Sequence, residues 1–131
     1  MADQKDNYVI KTEKAPAAVG PYSVAVRVNN MIFLSGQLGL NPSTGDFVTG
    51  GIEQQTNQAL TNIKNILDEC GLTMENIVKT TVFLKDMNQF GAMNAVYASF
   101  FKKDPPARST VEVAALPKNG LVEIEAIAYY S

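Results

Sequence analysis

From Ile52 to Cys70 the positions Ile52, Thr56, Ala59, Leu60, Ile63, Ile66, Leu67 and Cys70 recur at alternating spacings of three and four. That spacing draws one apolar stripe along an amphipathic helix, and such a stripe has to be packed on a sheet. Gly71 stands where a C-terminal cap is expected. The run Ile77 to Leu84 is rich in β-branched residues and reads as a strand. A second helix starts near Asp86, with Gln89 three residues on as its capping-box partner. Its stripe is Phe90, Met93, Val96, Tyr97, Phe100 and Phe101, with Asn94 between Phe90 and Tyr97. A buried amide needs partners. Asn94 is therefore either a structural hydrogen bond, the reading the pattern favours, or part of a pocket wall.

Ahead of the first helix, Tyr22 to Val28 and Met31 to Leu38 read as strands joined at Asn29-Asn30, residues that tolerate a tight hairpin turn. With a two-residue turn, Val28 pairs with Met31, Val24 with Ser35 and Tyr22 with Gln37, all on one face, unless a bulge intervenes. Tyr22 and Ser35 then meet at the open end beside Gly36, whose missing side chain lets a ligand approach the backbone. In the strand after Pro106, Arg108, Thr110 and Glu112 share one face and Ser109, Val111 and Val113 the other. In the last strand Glu123 and Glu125 oppose Val122, Ile124 and Ala126. The element order argues an α+β sandwich, a mixed sheet with both helices on one face. Its uncovered face is expected to carry Arg108 and Glu123, either wet or buried between subunits.

The 131 residues suit one compact domain, 1–131, with residues 1–7 a loose polar start and a short strand near Tyr8 to Lys11. A hydrophobic content of 46% with 18% charged residues argues against extended disorder. The formal charge is −2 and no Lys or Arg stripe tracks a phosphate backbone, so nucleic acid is not the default partner. With no His and one Cys, neither a usual zinc site nor a Ser-His-Asp triad can be assembled. Cys70, on the helical stripe, reads as a small buried hydrophobe. No apolar run approaches the ~20 residues of a membrane span and the first residues are polar, so a cytoplasmic protein is expected.

Chemistry then falls to Arg108 and Glu123. Arg108 is a permanently charged planar fork that can capture a carboxylate, or an ordinary surface Arg paired with a nearby acid, which spacing alone favours. Glu123 is either a solvated strand residue or, in a pocket that raises its pKa, a group that holds or activates a water. Asn119-Gly120 looks like a two-residue hairpin turn that sets Glu123 opposite Leu116. Arg108 would then lie eight residues further along, roughly 26 Å away. If the two cooperate, either the connection is not a tight hairpin or they come from different chains.

Pro106-Ala107-Arg108-Ser109, Leu116-Pro117-Lys118 and Val122-Glu123-Ile124-Glu125-Ala126 resemble the C-terminal signature of the RidA/YjgF reactive-intermediate deaminases. Ala15 to Tyr22, Ser35-Gly36-Gln37, Asn41-Pro42, Val78 to Phe83 and Asn94 to Phe101 match its other motifs in the same order, over about Tyr8 to Tyr129. The resemblance implies a chorismate-mutase-like fold, a homotrimer with clefts between subunits, and hydrolysis of 2-aminoacrylate, 2-iminobutyrate and similar enamines or imines to 2-keto acids and ammonia. It implies no metal and no cofactor. By matching position, Arg108 would clamp the substrate carboxylate and Glu123 would position the water. Tyr22 and Ser35 would line the cleft, the backbones of Gly36 and Thr110 would offer hydrogen bonds, and Phe90 and Asn94 would form the wall. Thr110 departs from the pattern, since many relatives carry Cys there. Two other functions stay open: a non-catalytic sensor of small carboxylates, and the RNA action attributed to some relatives.

Overall fold

A computed structural model describes residues 9–131; the expected loose start at residues 1–7, and Tyr8, lie outside the described residues. Six strands, β1 (Val9–Ile10), β2 (Ala25–Val28), β3 (Met31–Leu38), β4 (Ile77–Leu84), β5 (Ala107–Glu112) and β6 (Val122–Tyr129), form one sheet in the order β1-β2-β3-β6-β4-β5. Neighbours are antiparallel except β4 and β5, which run parallel. Helices α1 (Ile52–Glu69) and α2 (Phe90–Phe100) cover one face, the α+β arrangement that the element order implies. Among the described residues no helix is long and apolar enough to cross a membrane.

The stripe of α1 is buried from Ile52 to Leu67. Gly71, at φ +75, lets the Leu72 N–H reach back 2.9 Å to the Leu67 carbonyl and closes the helix. Two amides on the same face escape the apolar pattern. Asn62 donates to the carbonyls of Leu38 (3.1 Å) and Leu40 (3.0 Å), and Gln55 Oε1 accepts from the Leu121 N–H at 3.0 Å. Each such bond adds about 1 kcal/mol net, and together they tie the helix to the end of β3 and the entrance of β6. The capping box expected at Asp86 and Gln89 does not form. Asp86 instead accepts the Asn88 N–H at 2.9 Å and opens a 3-10 turn, Met87–Gln89, so that the α-helix proper starts at Phe90.

The hairpin keeps the expected Val28 to Met31 pairing, with Asn29 at φ 54, and the Ser35 N–H bonds the Val24 carbonyl at 2.9 Å. The Tyr22 to Gln37 pairing is absent, because β2 starts at Ala25 and β3 carries a bulge. Against β6, Leu34 pairs with Ala126 but Gln37 with Ile124, so Ser35-Gly36 supplies the extra residue. The bulge turns Gln37, 5% exposed, toward the core.

No β5–β6 hairpin exists: β4 lies between these strands, and Pro117–Asn119 is a 3-10 turn with Lys118 and Asn119 at φ 56 and 62. Arg108 pairs with Thr80 and Glu123 with Phe83, on the same strand. Two strand spacings and three residues therefore separate them, about 14 Å between backbones, and the 26 Å expectation falls.

Register also decides the faces. Thr80, Val82, Val122, Ile124 and Ala128 are fully buried toward the helices. Val28, Phe33, Val111 and Tyr129, on the other side, are 47%, 45%, 43% and 43% exposed, an apolar surface of the kind that protein contacts cover. Arg108 shares the covered side with Thr80, and Glu123 the open side with Phe83 and Val111. The expectation that both occupy the uncovered face is thus wrong for Arg108. On the edge strand β5 the covered side meets polar and aromatic groups of α2, so it is Val111, and not Arg108, that faces outward.

Candidate active site

Arg108 extends from β5 under α2. Its Nη1 donates to Asn94 Oδ1 at 2.7 Å, and its Cζ lies 4.7 Å from the Tyr97 ring centroid and 5.5 Å from that of Phe90. Tyr97 is fixed in turn: its hydroxyl shares a 2.7 Å hydrogen bond with Thr80 Oγ1, and its ring lies 4.6 Å from that of Phe101. Burial raises the Tyr97 pKa, so the hydroxyl stays neutral. Among the described residues the one ion pair is Lys14 with Asp68, so Arg108 is not the acid-paired surface Arg that spacing favours. It borders a cavity of about 380 Å³ lined also by Asn94, Tyr97, Phe101 and Pro106. Thr110 lies two residues along on the same side, and its Oγ1 is buried with no hydrogen-bond partner among the described residues.

Glu123 occupies the opposite side. It lines a cavity of about 350 Å³ with Pro16, Val19, Tyr22, Gly36, Leu38, Pro42, Pro117 and Lys118. A Cβ at Gly36 would fall 2.6 Å from Glu123 Oε2, so the glycine at the bulge provides the space that the carboxyl occupies. Burial, and secondarily the neighbouring Glu125, push the Glu123 carboxyl above its ordinary pKa. Lys118 holds the rim by donating from Nζ to the Gly45 carbonyl at 3.0 Å.

Tyr22 reaches this cavity from a loop and not from a strand, its N–H bonded to the Gly20 carbonyl at 2.9 Å. Ser35 Oγ donates to the Ser23 carbonyl at 2.6 Å. Ser35 and Tyr22 together border an adjoining depression of about 370 Å³. A larger groove, about 620 Å³, runs beside Gln54, Asn57 and Val96 on the outside of the helices and contains none of these groups.

Within one chain the candidates thus form two sets, Arg108, Asn94, Phe90 and Thr110 under α2, and Glu123, Gly36, Tyr22 and Ser35 on the open side. Tyr97 is the contact that the apolar stripe hides. The available signal was its hydroxyl, which needs a partner when buried, with Thr80 at hand in a strand otherwise made for packing.

The sequence matches the model of a protein family described as Endoribonuclease L-PSP over residues 12–130. It is 53% identical over 120 residues to the mouse protein named 2-iminobutanoate/2-iminopropanoate deaminase, covering 92% of this chain and 89% of the relative. It is 52% identical over 121 residues to a RutC family protein of Pyrococcus abyssi, covering 92% and 95%. The crystal structure of the E. coli YjgF gene product superposes with a TM-score of 0.90 at 49% identity, covering 94% of this chain and 98% of that one. The matched length, the identity and the shared fold agree with the ordered motifs, and the chain belongs to the RidA/YjgF family.

Proposed function

We propose that this chain hydrolyses 2-imino acids and their enamine tautomers, 2-aminoacrylate and 2-iminobutyrate among them, to 2-keto acids and ammonia. The site is completed between subunits of a homotrimer, Arg108 coming from one copy and Glu123 from its neighbour. The observation that carries this reading is the division of the two groups: a guanidinium with no acid partner among the described residues on one face of the sheet, and a partly desolvated carboxyl on the other. The exposed apolar surface beside Glu123 is what a neighbouring copy would cover.

Arg108 takes the substrate carboxylate on the N–H groups that Asn94 leaves free. Water held by Glu123 attacks C2; the C–O bond forms as the C=N π pair moves to nitrogen, and the carboxylate takes the water's proton. That proton passes to the nitrogen to give a carbinolamine; Glu123 then carries the hydroxyl proton to the nitrogen as well, the C=O bond forms as the C–N bond breaks, and ammonia leaves a 2-keto acid. The backbones of Gly36 and Thr110 offer hydrogen bonds, while Tyr22, Ser35 and Phe90 line the cleft. Because an imine is intrinsically reactive, orientation and one positioned base account for the catalysis.

The test is ammonia release from a threonine dehydratase reaction. The protein accelerates it, and Arg108→Ala abolishes the gain; equal rates with both proteins would sink the assignment. Tight 2-ketobutyrate binding without acceleration would instead favour a carboxylate sensor. The family description favours an RNA reading, against which stand the charge of −2 and the lack of a basic stripe. RNA cleavage that co-purifies with the protein and is lost in Arg108→Ala would revive it.

A further inference from the structure

A clamp for a monocarboxylate must present its guanidinium edge in one plane, yet an Arg side chain rotates freely unless its surroundings stop it. Among the described residues no acid pairs with Arg108. Asn94 holds one nitrogen at 2.7 Å, which sets a distance but leaves rotation about that bond. The second constraint is the Tyr97 ring, 4.7 Å from Cζ, whose hydroxyl end is anchored by the 2.7 Å hydrogen bond to Thr80 and whose face packs 4.6 Å from the Phe101 ring. Thr80 is fully buried and is also the residue paired with Arg108 across the parallel β4–β5 register. Thr80, Tyr97 and Arg108 thus close a triangle from strand to helix to neighbouring strand, and each corner is attached to a rigid element.

We infer that Tyr97, latched to Thr80, is a positioning residue that sets the plane of the Arg108 guanidinium and leaves its free edge toward a substrate carboxylate. An aromatic face attracts the cation without neutralising it, whereas an acid in its place would occupy the donors the substrate needs. The buried hydroxyl carries no charge, so the latch does not itself titrate with the substrate. This inference rests on the reading of Arg108 as the carboxylate clamp.

The experiment compares Tyr97→Phe, Tyr97→Leu and Thr80→Val with Arg108→Ala, measuring kcat and KM for 2-iminobutyrate generated in situ, together with the NMR relaxation of Arg108 Nε–H in the ligand-free protein. Losing the ring in Tyr97→Leu raises KM about tenfold. Losing the latch in Tyr97→Phe or Thr80→Val raises it about threefold. In all three kcat stays within about twofold of wild type. Arg108 Nε–H relaxation in Tyr97→Leu moves toward that of a freely rotating arginine, a gain in mobility that mere loss of the ring's shielding does not produce. Unchanged KM in Tyr97→Phe and Thr80→Val, variants mild enough to fold, overturns the latch. Unchanged Arg108 Nε–H relaxation in a folded Tyr97→Leu overturns the positioning role. If Arg108→Ala itself keeps wild-type kinetics, it is the clamp reading underneath that fails.

Discussion

On the covered side of the sheet a guanidinium is held by neutral groups, the Asn94 amide and the Tyr97 and Phe90 rings, all carried on one helix. On the open side a carboxyl is surrounded by the walls of three loops, around Pro16 to Tyr22, Pro42 to Gly45 and Pro117-Lys118. The two arrangements solve different problems. An Arg is always charged, so its surroundings can alter only its orientation. A Glu can be charged or neutral, and burial decides which form the site favours. One half is therefore built for geometry and the other for proton affinity, and substitutions should separate the two.

Glu123→Gln gives the largest effect in this comparison, lowering kcat by about 10²-fold or more while 2-ketobutyrate binding at Arg108 largely persists. The pH dependence has a definite sign. Burial, with Glu125 second, holds the Glu123 carboxyl above its ordinary pKa, so wild-type activity is expected to fall as pH drops through that raised value, and the variant lacks this limb. Stability runs the other way. A carboxyl whose folded pKa exceeds its unfolded one contributes fully below the unfolded value, and that contribution is lost as pH rises through the folded one. Glu123→Gln therefore raises the melting temperature slightly near neutral pH, with the gain shrinking in acid; solvent around this half-exposed group keeps it small. Melting curves across pH and a pH–rate profile check both limbs. A gain that grows on acidification would refute the assigned direction.

Gly36→Ala comes next. Its methyl would meet Glu123 Oε2 at 2.6 Å and Cδ at 2.8 Å, the far end of a side chain that can swing away. The fold survives and the carboxyl moves. A displacement of about 1 Å costs between tenfold and a hundredfold in kcat/KM, with the melting temperature nearly unchanged. At Gly39, by contrast, the same methyl would strike the Gln55 backbone at 2.6 Å, which cannot rotate aside. If Gly36→Ala loses stability and not activity, the space at the bulge serves folding rather than Glu123.

What could be read beforehand follows from how far each signal reaches along the chain. The stripe of α1, the Gly71 cap, the strand Ile77 to Leu84 and the Asn29 turn are local, and all appear where spacing put them. The strand order is not local. Nothing in the alternation of β5 and β6 says that β4 will slide between them, and this longer-range pairing overrides the hairpin that Asn119-Gly120 favours locally. Alternation also groups Arg108 with Thr110 without saying which side the helices will cover. Charge suggested the wet side, but an edge strand under a helix bearing Asn94 and Tyr97 accommodates an Arg inward. The bulge at Ser35-Gly36 left no clear mark except the glycine. Family motifs supply the candidate residues; their division between two faces has no counterpart in those motifs.

The smallest effect probes the Arg108 side of the sheet. Thr110 Oγ1 is buried on the Arg108 side without a hydrogen-bond partner among the described residues. Burying a hydroxyl unsatisfied is unfavourable by about 1–3 kcal/mol relative to a satisfied one. Val has nearly the shape of Thr without the polar atom, so if the orphan persists in solution, Thr110→Val stabilises the protein by about 1 kcal/mol. The midpoint of urea unfolding then moves upward at unchanged slope. A midpoint that falls would mean that the hydroxyl gains a partner the single chain lacks, from bound water or from a neighbouring copy across the cleft. Repeating the measurement at several protein concentrations separates these, because a bond made across subunits loses its effect as the assembly dissociates, whereas a water-mediated one does not.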